Sequence, residues 1–104
     1  MISIPHELIS YHSSGKPLVC KLAATPFFCE FWPLAELEIC NDDYQVHTEA
    51  PGYLGFATSG GGEMFAFSPF GAIVCLPFIG MEPAVALSIA PTWQQFEILL
   101  QNAL

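Results

Sequence analysis

Basic side chains are nearly absent from this chain. Lys16 and Lys21 stand against ten acidic residues, giving a formal charge of -8 over 104 residues. Nucleic-acid binding draws its affinity from lysine and arginine neutralising phosphates, so two cations exclude that class of partner. An anionic membrane surface repels the chain for the same reason. Charge of either sign is scarce: 12% of residues are charged, about half the usual share for a soluble domain. Long apolar runs are lacking too, since the longest, near Ala72–Ile79, is far short of a membrane span. The N-terminus shows neither a basic residue nor an apolar stretch before a small-residue cleavage site. A cytoplasmic location is therefore expected.

Cysteine is present but in no metal or redox spacing. Cys20, Cys29, Cys40 and Cys75 include no Cys-x-x-Cys pair. Their even number permits two disulfides, yet that framework belongs to small secreted chains with weak cores, so buried free thiols are the expectation.

Apolar residues make up 53% of the chain, enough for one domain spanning residues 1–104 with side chains left over. Some of that surplus is expected at the surface, as a homodimer or partner patch. A basic protein partner would be drawn in by the negative field, although acidity also serves solubility alone.

Along the chain, Pro5 suits the first turn of a short helix over residues 5–13, closed by Ser13-Ser14-Gly15. Pro17–Ala24 and Phe27–Trp32 are β-prone runs separated by Ala-Thr-Pro. A second helix is predicted over Trp32–Cys40, with Leu34, Leu37 and Ile39 inward and Asn41-Asp42-Asp43 as its stop. Residues 41–51 read as the longest loop. Tyr53–Ser59, Glu63–Ser68 and Ala72–Phe78 then read as three strands, joined by Gly60-Gly61-Gly62 and by Ser68-Pro69-Phe70-Gly71. The last strand is apolar on both faces, which places it centrally. Residues 80–91 look irregular. Thr92, with Gln95 three residues on, caps a terminal helix whose inner face carries Trp93, Phe96, Leu99, Leu100 and Ala103. The predicted fold is α+β: a mostly antiparallel sheet of about five to six strands flanked by three helices.

Few residues offer chemistry. Gly55 to Gly60 has Walker-like glycine spacing, but Gly61 and Gly62 stand where lysine and serine or threonine are needed, and a strand follows rather than a helix. The bland reading is a hairpin turn needing positive φ. His6, His12 and His47 share no ligand spacing, and His6 and His12 fall on a surface helix. No Gly-x-Ser-x-Gly elbow is present. Cys20 and Cys75 read as packing residues, not nucleophiles. Glu36, Glu38, Asp42, Asp43 and Glu49 form the one polar concentration. It serves either as a plain solvated face or as a docking surface for a basic partner.

Four segments carry a family resemblance. Ile4-Pro5-x-x-Leu8-x-x-Tyr11, Trp32-Pro33-Leu34-x-Glu36-Leu37, Phe56–Phe67 with its triple glycine, and Ile89–Leu100 with Trp93 and Phe96 are similar to the SUKH superfamily (the Smi/Knr-type domain). That superfamily spans fungal cell-wall regulators and bacterial immunity proteins. Ser68 departs from an aspartate expected after the aromatic strand, and the opening region is short. The resemblance implies a non-enzymatic, cofactor-free, protein-binding α+β domain. It implies Trp32, Gly60, Gly61, Gly62, Trp93 and Phe96 as fold residues. In bacteria it implies an immunity protein that neutralises a cognate toxin; a regulatory or scaffold domain is the alternative, and a small-molecule binder the reading from another class.

Overall fold

The computed structural model describes residues 2–103. Helix α1 (His6–Ser13) leads into strands β1 (Val19–Lys21) and β2 (Phe28–Phe31). A 3-10 turn at Leu34–Glu36 opens directly into α2 (Leu37–Asp43), followed by the single turn α3 (Val46–Glu49). Strands β3 (Leu54–Thr58), β4 (Glu63–Phe67) and β5 (Ile73–Pro77) come next. After a 3-10 turn at Pro83–Val85, β6 (Leu87–Ala90), α4 (Trp93–Leu99) and β7 (Gln101–Asn102) close the chain. All pairings are antiparallel, in the order β6-β5-β4-β3-β2-β1-β7. The α+β class and the antiparallel sheet thus hold, with seven strands and four helices in place of five to six and three.

Strand alternation sorts the apolar residues onto two faces. On β4, Phe65 and Phe67 point to one side, where Phe56, Trp93, Phe96, Leu8 and Tyr11 gather. Met64 and Ala66 point to the other and meet Val46, Ala50, Val74, Leu76 and Met81. Helices α1 and α4 therefore cover the first face, and α3 contributes to covering the second. The first core is rich in aromatic rings: Trp93 stacks on Phe67 at 5.6 Å and meets Phe56 edge-on at 5.7 Å.

The connection from β6 to β7 requires the sheet to curl. These strands lie at opposite ends of the order, so a flat sheet would hold them about 29 Å apart at ~4.8 Å per spacing. Seven helical residues span about 10 Å, and the few extended residues beside them add roughly 10 Å more. The edges must bend toward each other to be joined. They do: one groove is lined both by Ser88 and Ile89 of β6 and by Leu22 and Gln101 from the other edge.

Several sequence expectations change. Helix α2 does not stop at Asn41; it runs on to Asp43, and Asn41 is fully buried within it. Ile39 points outward at 61% exposure, because the inward stripe of α2 is Leu37 and Asn41, four residues apart. Residues 41–51 are not a long loop, since they contain the end of α2 and all of α3. The irregular stretch 80–91 hides edge strand β6. Strand β5 is buried on both faces as expected, yet the centre of the sheet is β3. Thr92 does cap α4, its Oγ1 accepting from the Gln95 amide at 3.2 Å. The helix ends at Leu99, however, so Leu99 and Ala103 are exposed rather than inward.

Positive φ is needed at only one of the three clustered glycines: Gly60 has φ +79, and a Cβ there would lie 3.0 Å from the Phe28 ring. Ser68 does at the next turn what a carboxylate would do, its Oγ accepting from the Phe70 and Ala72 amides at 3.3 and 3.1 Å. Among the described residues, no helix is long and apolar enough to cross a membrane.

Candidate functional site

The acidic residues singled out from sequence fall on one structural layer. Glu36 ends the 3-10 turn, Glu38, Asp42 and Asp43 lie on α2, and Glu49 ends α3; all five are exposed. No lysine interrupts them. Lys16 is ion-paired to Glu97 of α4, and Lys21 lies on β1. The nearest basic group in the acidic layer is His47, whose Nε2 sits 3.6 Å from Asp42 Oδ1. Half-buried Cys40 reports the local field: burial first, then Glu36 and Asp43, push its thiol pKa upward.

Aromatic side chains border this layer. Tyr44, the residue after α2, is sandwiched between Trp32 at 6.0 Å and Phe78 at 4.3 Å, with its edge open to solvent. Trp32 is thus partly buried and shared between packing and surface. Phe70, at the tip of the β4–β5 turn, is 97% exposed. That tip packs on the loop just after α3: a Cβ on Gly52 would lie 3.0 Å from Pro69 Cγ. From sequence, Phe70 is a turn residue only. Its exposure was invisible because an aromatic after proline in a turn is equally compatible with packing.

A buried polar clamp fixes the acidic layer to the sheet. Asn41 Nδ2 donates to Leu37 O at 2.8 Å and to Gly55 O at 2.9 Å, while Gly55 N donates to Asn41 Oδ1 at 2.8 Å. Gly55 lies next to a register shift in β3 and beyond the last residue pair of the β2–β3 ladder, Phe31 with Ala57, so it has no partner on β2. A side chain at position 55 is not accommodated, since a Cβ would stand 2.5 Å from Met64 Sδ. The amide of Asn41 therefore substitutes for a missing strand partner, and it sets where α2 and its carboxylates lie.

The groups available for chemistry are poorly equipped for it. Ser10 Oγ and His6 Nε2 lie 3.3 Å apart on exposed α1, and among the described residues Ser10 is the sole hydrogen-bond partner of that imidazole. A nucleophile–base pair needs a third group to orient the base, so this pair lacks half its apparatus. Burial pushes the Cys20 and Cys29 thiols upward, and that of Cys75 up to about 12, with Glu63 adding to the last. Such thiols are the opposite of activated. Cys20 and Cys29 face each other across β1 and β2 as free residues. His12 is not on the open surface: its ring meets Phe31 edge-on, its Nε2 is enclosed without a partner among the described residues, and burial lowers its pKa. Among the described residues, no group of three or more His, Cys, Asp or Glu side chains is placed to hold a metal ion.

A shallow polar hollow of about 300 Å³ lies between α1 and α4, around Lys16 and Glu97. Glu97 is already committed there, accepting from Trp93 Nε1 at 3.0 Å as well as pairing with Lys16. No family model matches this chain, and no curated protein matches it either.

Proposed function

We propose that this chain is a non-enzymatic protein-binding domain of the immunity type, which binds a basic toxin through its acidic helical layer and neutralises it. The observation that carries this reading is the juxtaposition on α2, α3 and the β4–β5 turn. Five exposed carboxylates without an intervening lysine lie on α2, α3 and the turn before α2, and the 97% exposed ring of Phe70 stands on the β4–β5 turn, whose Pro69 packs on Gly52, three residues after Glu49. Charge steers encounter and register, whereas an exposed aromatic supplies the anchor that desolvates on contact. The -8 charge raises on-rates toward a cationic partner by about ten- to a thousand-fold at low salt. The resemblance to the SUKH superfamily supports the same class.

Co-expression with the product of a neighbouring gene tests the proposal. The expected result is a stable complex whose association slows on raising salt and on the charge reversals Asp42→Lys and Asp43→Lys, and which dissociates faster in Phe70→Ala. Absence of any complex with genomic neighbours refutes the toxin reading. A complex with a non-toxic neighbour assigns the same surface to a regulatory or scaffold role instead.

A further inference from the structure

We infer that Cys20 and Cys29 are a reversible disulfide site: facing thiols on β1 and β2 that close into a cross-strand S–S bond when the chain meets a small disulfide oxidant, locking the β1–β2 hairpin. Their placement is set by the ladder. Cys20 is the register partner of Cys29, between the pairs Val19 with Glu30 and Lys21 with Phe28. Residues directly opposite one another in a sheet project to the same face. Here both thiols point inward, Cys20 1% and Cys29 0% exposed, whereas Lys21 and Glu30 beside them are exposed. Each thiol feels the other: after burial, the Cys20 thiol is the next cause pushing the Cys29 pKa upward, ahead of Cys75.

The register also sets the spacing. Leu22 N donates to Phe27 O and Phe31 N donates to Leu18 O, both at 2.9 Å, two residues to either side of the cysteines. Bonded pairs recur every second residue in an antiparallel ladder, so Cys20 and Cys29 form a bonded pair with Cα atoms about 5.5 Å apart. That separation lies within the ~4.4–6.8 Å that a disulfide spans. Facing Cβ atoms stand about 4.5–5.5 Å apart, against about 3.8 Å in a relaxed disulfide. Closure therefore draws the strands together by roughly 1 Å and leaves a strained bond, of the kind that thiols reopen readily. Strand β1 is three residues long and its outer neighbour β7 only two, so few ladder bonds resist the movement. Neither remaining cysteine faces another across a ladder: Cys75 lies on β5 opposite Phe65 and Leu87, and Cys40 lies on α2.

Oxidised glutathione serves as the oxidant. One cysteine, as thiolate, attacks a glutathione sulfur, giving a mixed disulfide and one reduced glutathione. The second cysteine then attacks the cysteine sulfur of that mixed disulfide and expels a second reduced glutathione. The S–S bond of the oxidant breaks and that between Cys20 and Cys29 forms. Two electrons pass to the oxidant, and both thiol protons end on the two glutathione thiols. Burial raises the pKa of both cysteines and shields them, so the first attack waits for the β1–β2 hairpin to open. Once formed, the bond closes the loop over residues 20–29 and removes the opened forms of the hairpin. Tyr11 Oη lies 3.7 Å from Cys20 Sγ and donates to Pro17 O, and β7 pairs with Cys20 and Lys21, so the lock extends to α1 and β7.

Incubating the native chain in glutathione mixtures of rising oxidised fraction, then alkylating in denaturant and mapping peptides without reduction, tests this. With reduced glutathione in excess, all four thiols should be alkylated. As the oxidised form comes to dominate, Cys20 and Cys29 should slowly escape alkylation and map to one bond. The melting temperature should then rise by about 5–10 °C. Cys40→Ser should leave this bond intact, and Cys20→Ala should abolish it. The peptide map of the native chain decides the matter even where a variant fails to fold. Free Cys20 and Cys29 at every ratio overturn the inference. So does a disulfide between any other pair of these cysteines, or a Cys20–Cys29 bond that leaves the melting temperature unchanged or lower.

Discussion

Replacing Asn41 tests how the acidic layer is held in place. In Asn41→Ala the Gly55 N–H and C=O lose their partner, at a place where both Asn41 and Gly55 are buried. Leu37 O retains its helical bond, so two backbone groups are orphaned. Each unsatisfied buried group costs about 1–3 kcal/mol, and the volume of the lost amide adds a cavity term. A loss of about 3–5 kcal/mol is expected, against a total stability of roughly 5–15 kcal/mol for a chain of this length. The melting temperature should fall by roughly 15–30 °C. Asn41→Asp separates geometry from volume. It keeps the acceptor toward Gly55 N but sets an oxygen against Leu37 O and Gly55 O, where both bonds need a donor. Burial and those carbonyls raise the folded-state pKa of the introduced carboxyl above its unfolded value near ~3.9. The folded state then holds the proton more tightly, so the deficit relative to native chain grows as pH rises from about 4 through neutrality. Urea unfolding by circular dichroism at pH 5 and pH 7, each referred to native chain, reads both effects. An alanine variant within about 1 kcal/mol of native, or an aspartate variant whose deficit is the same at both pH values, would refute the clamp.

Further outcomes follow from burial and backbone geometry. His12 has its pKa lowered by burial, so the folded state stays neutral where the unfolded state takes a proton near ~6.5. Stability should be lost as pH falls below that value toward the folded-state pKa, and His12→Phe should flatten the urea midpoint over that range; an unchanged pH profile counts against it. The raised pKa values of Cys20, Cys29 and Cys75 predict that a disulfide-exchange reagent at pH 8 titrates Cys40 slowly and the other three only after unfolding. Rapid release from more than one thiol in the native chain contradicts this. Gly60→Ala should cost about 1–2 kcal/mol from its left-handed backbone and the nearby Phe28 ring, whereas Gly62→Ala meets open space and should be neutral within ~0.5 kcal/mol. Equal losses at the two positions would show that the turn does not need its left-handed residue.

Sequence legibility tracked how many faces of an element are buried. Strands β3, β4 and β5 are buried on both sides, so their residues form nearly continuous apolar runs, and the turns between them use Gly60 and Pro69-Phe70-Gly71 in recognisable ways. Strand β6 defeated the same logic. It is short, half exposed at one end of the sheet, and sits between Pro83 and Pro91, which together read as a break. Strand β7 is two residues long and exists because α4 delivers it to β1, a tertiary event with no local signature.

The acidic layer was legible as composition and illegible as geometry, and Asn41 accounts for both. An Asn-Asp-Asp run ordinarily ends a helix, because these side chains compete for nearby backbone groups. Here the competition is resolved elsewhere: the first of the three turns inward and bonds a residue fourteen positions away. The other two continue the helix outward as carboxylates. The misplacement of Ile39 is the same error, since assigning the inward stripe to apolar residues alone pulls it off the Leu37–Asn41 phase. One buried amide therefore fixes which side chains of α2 face solvent, and with them the charge that any partner would meet.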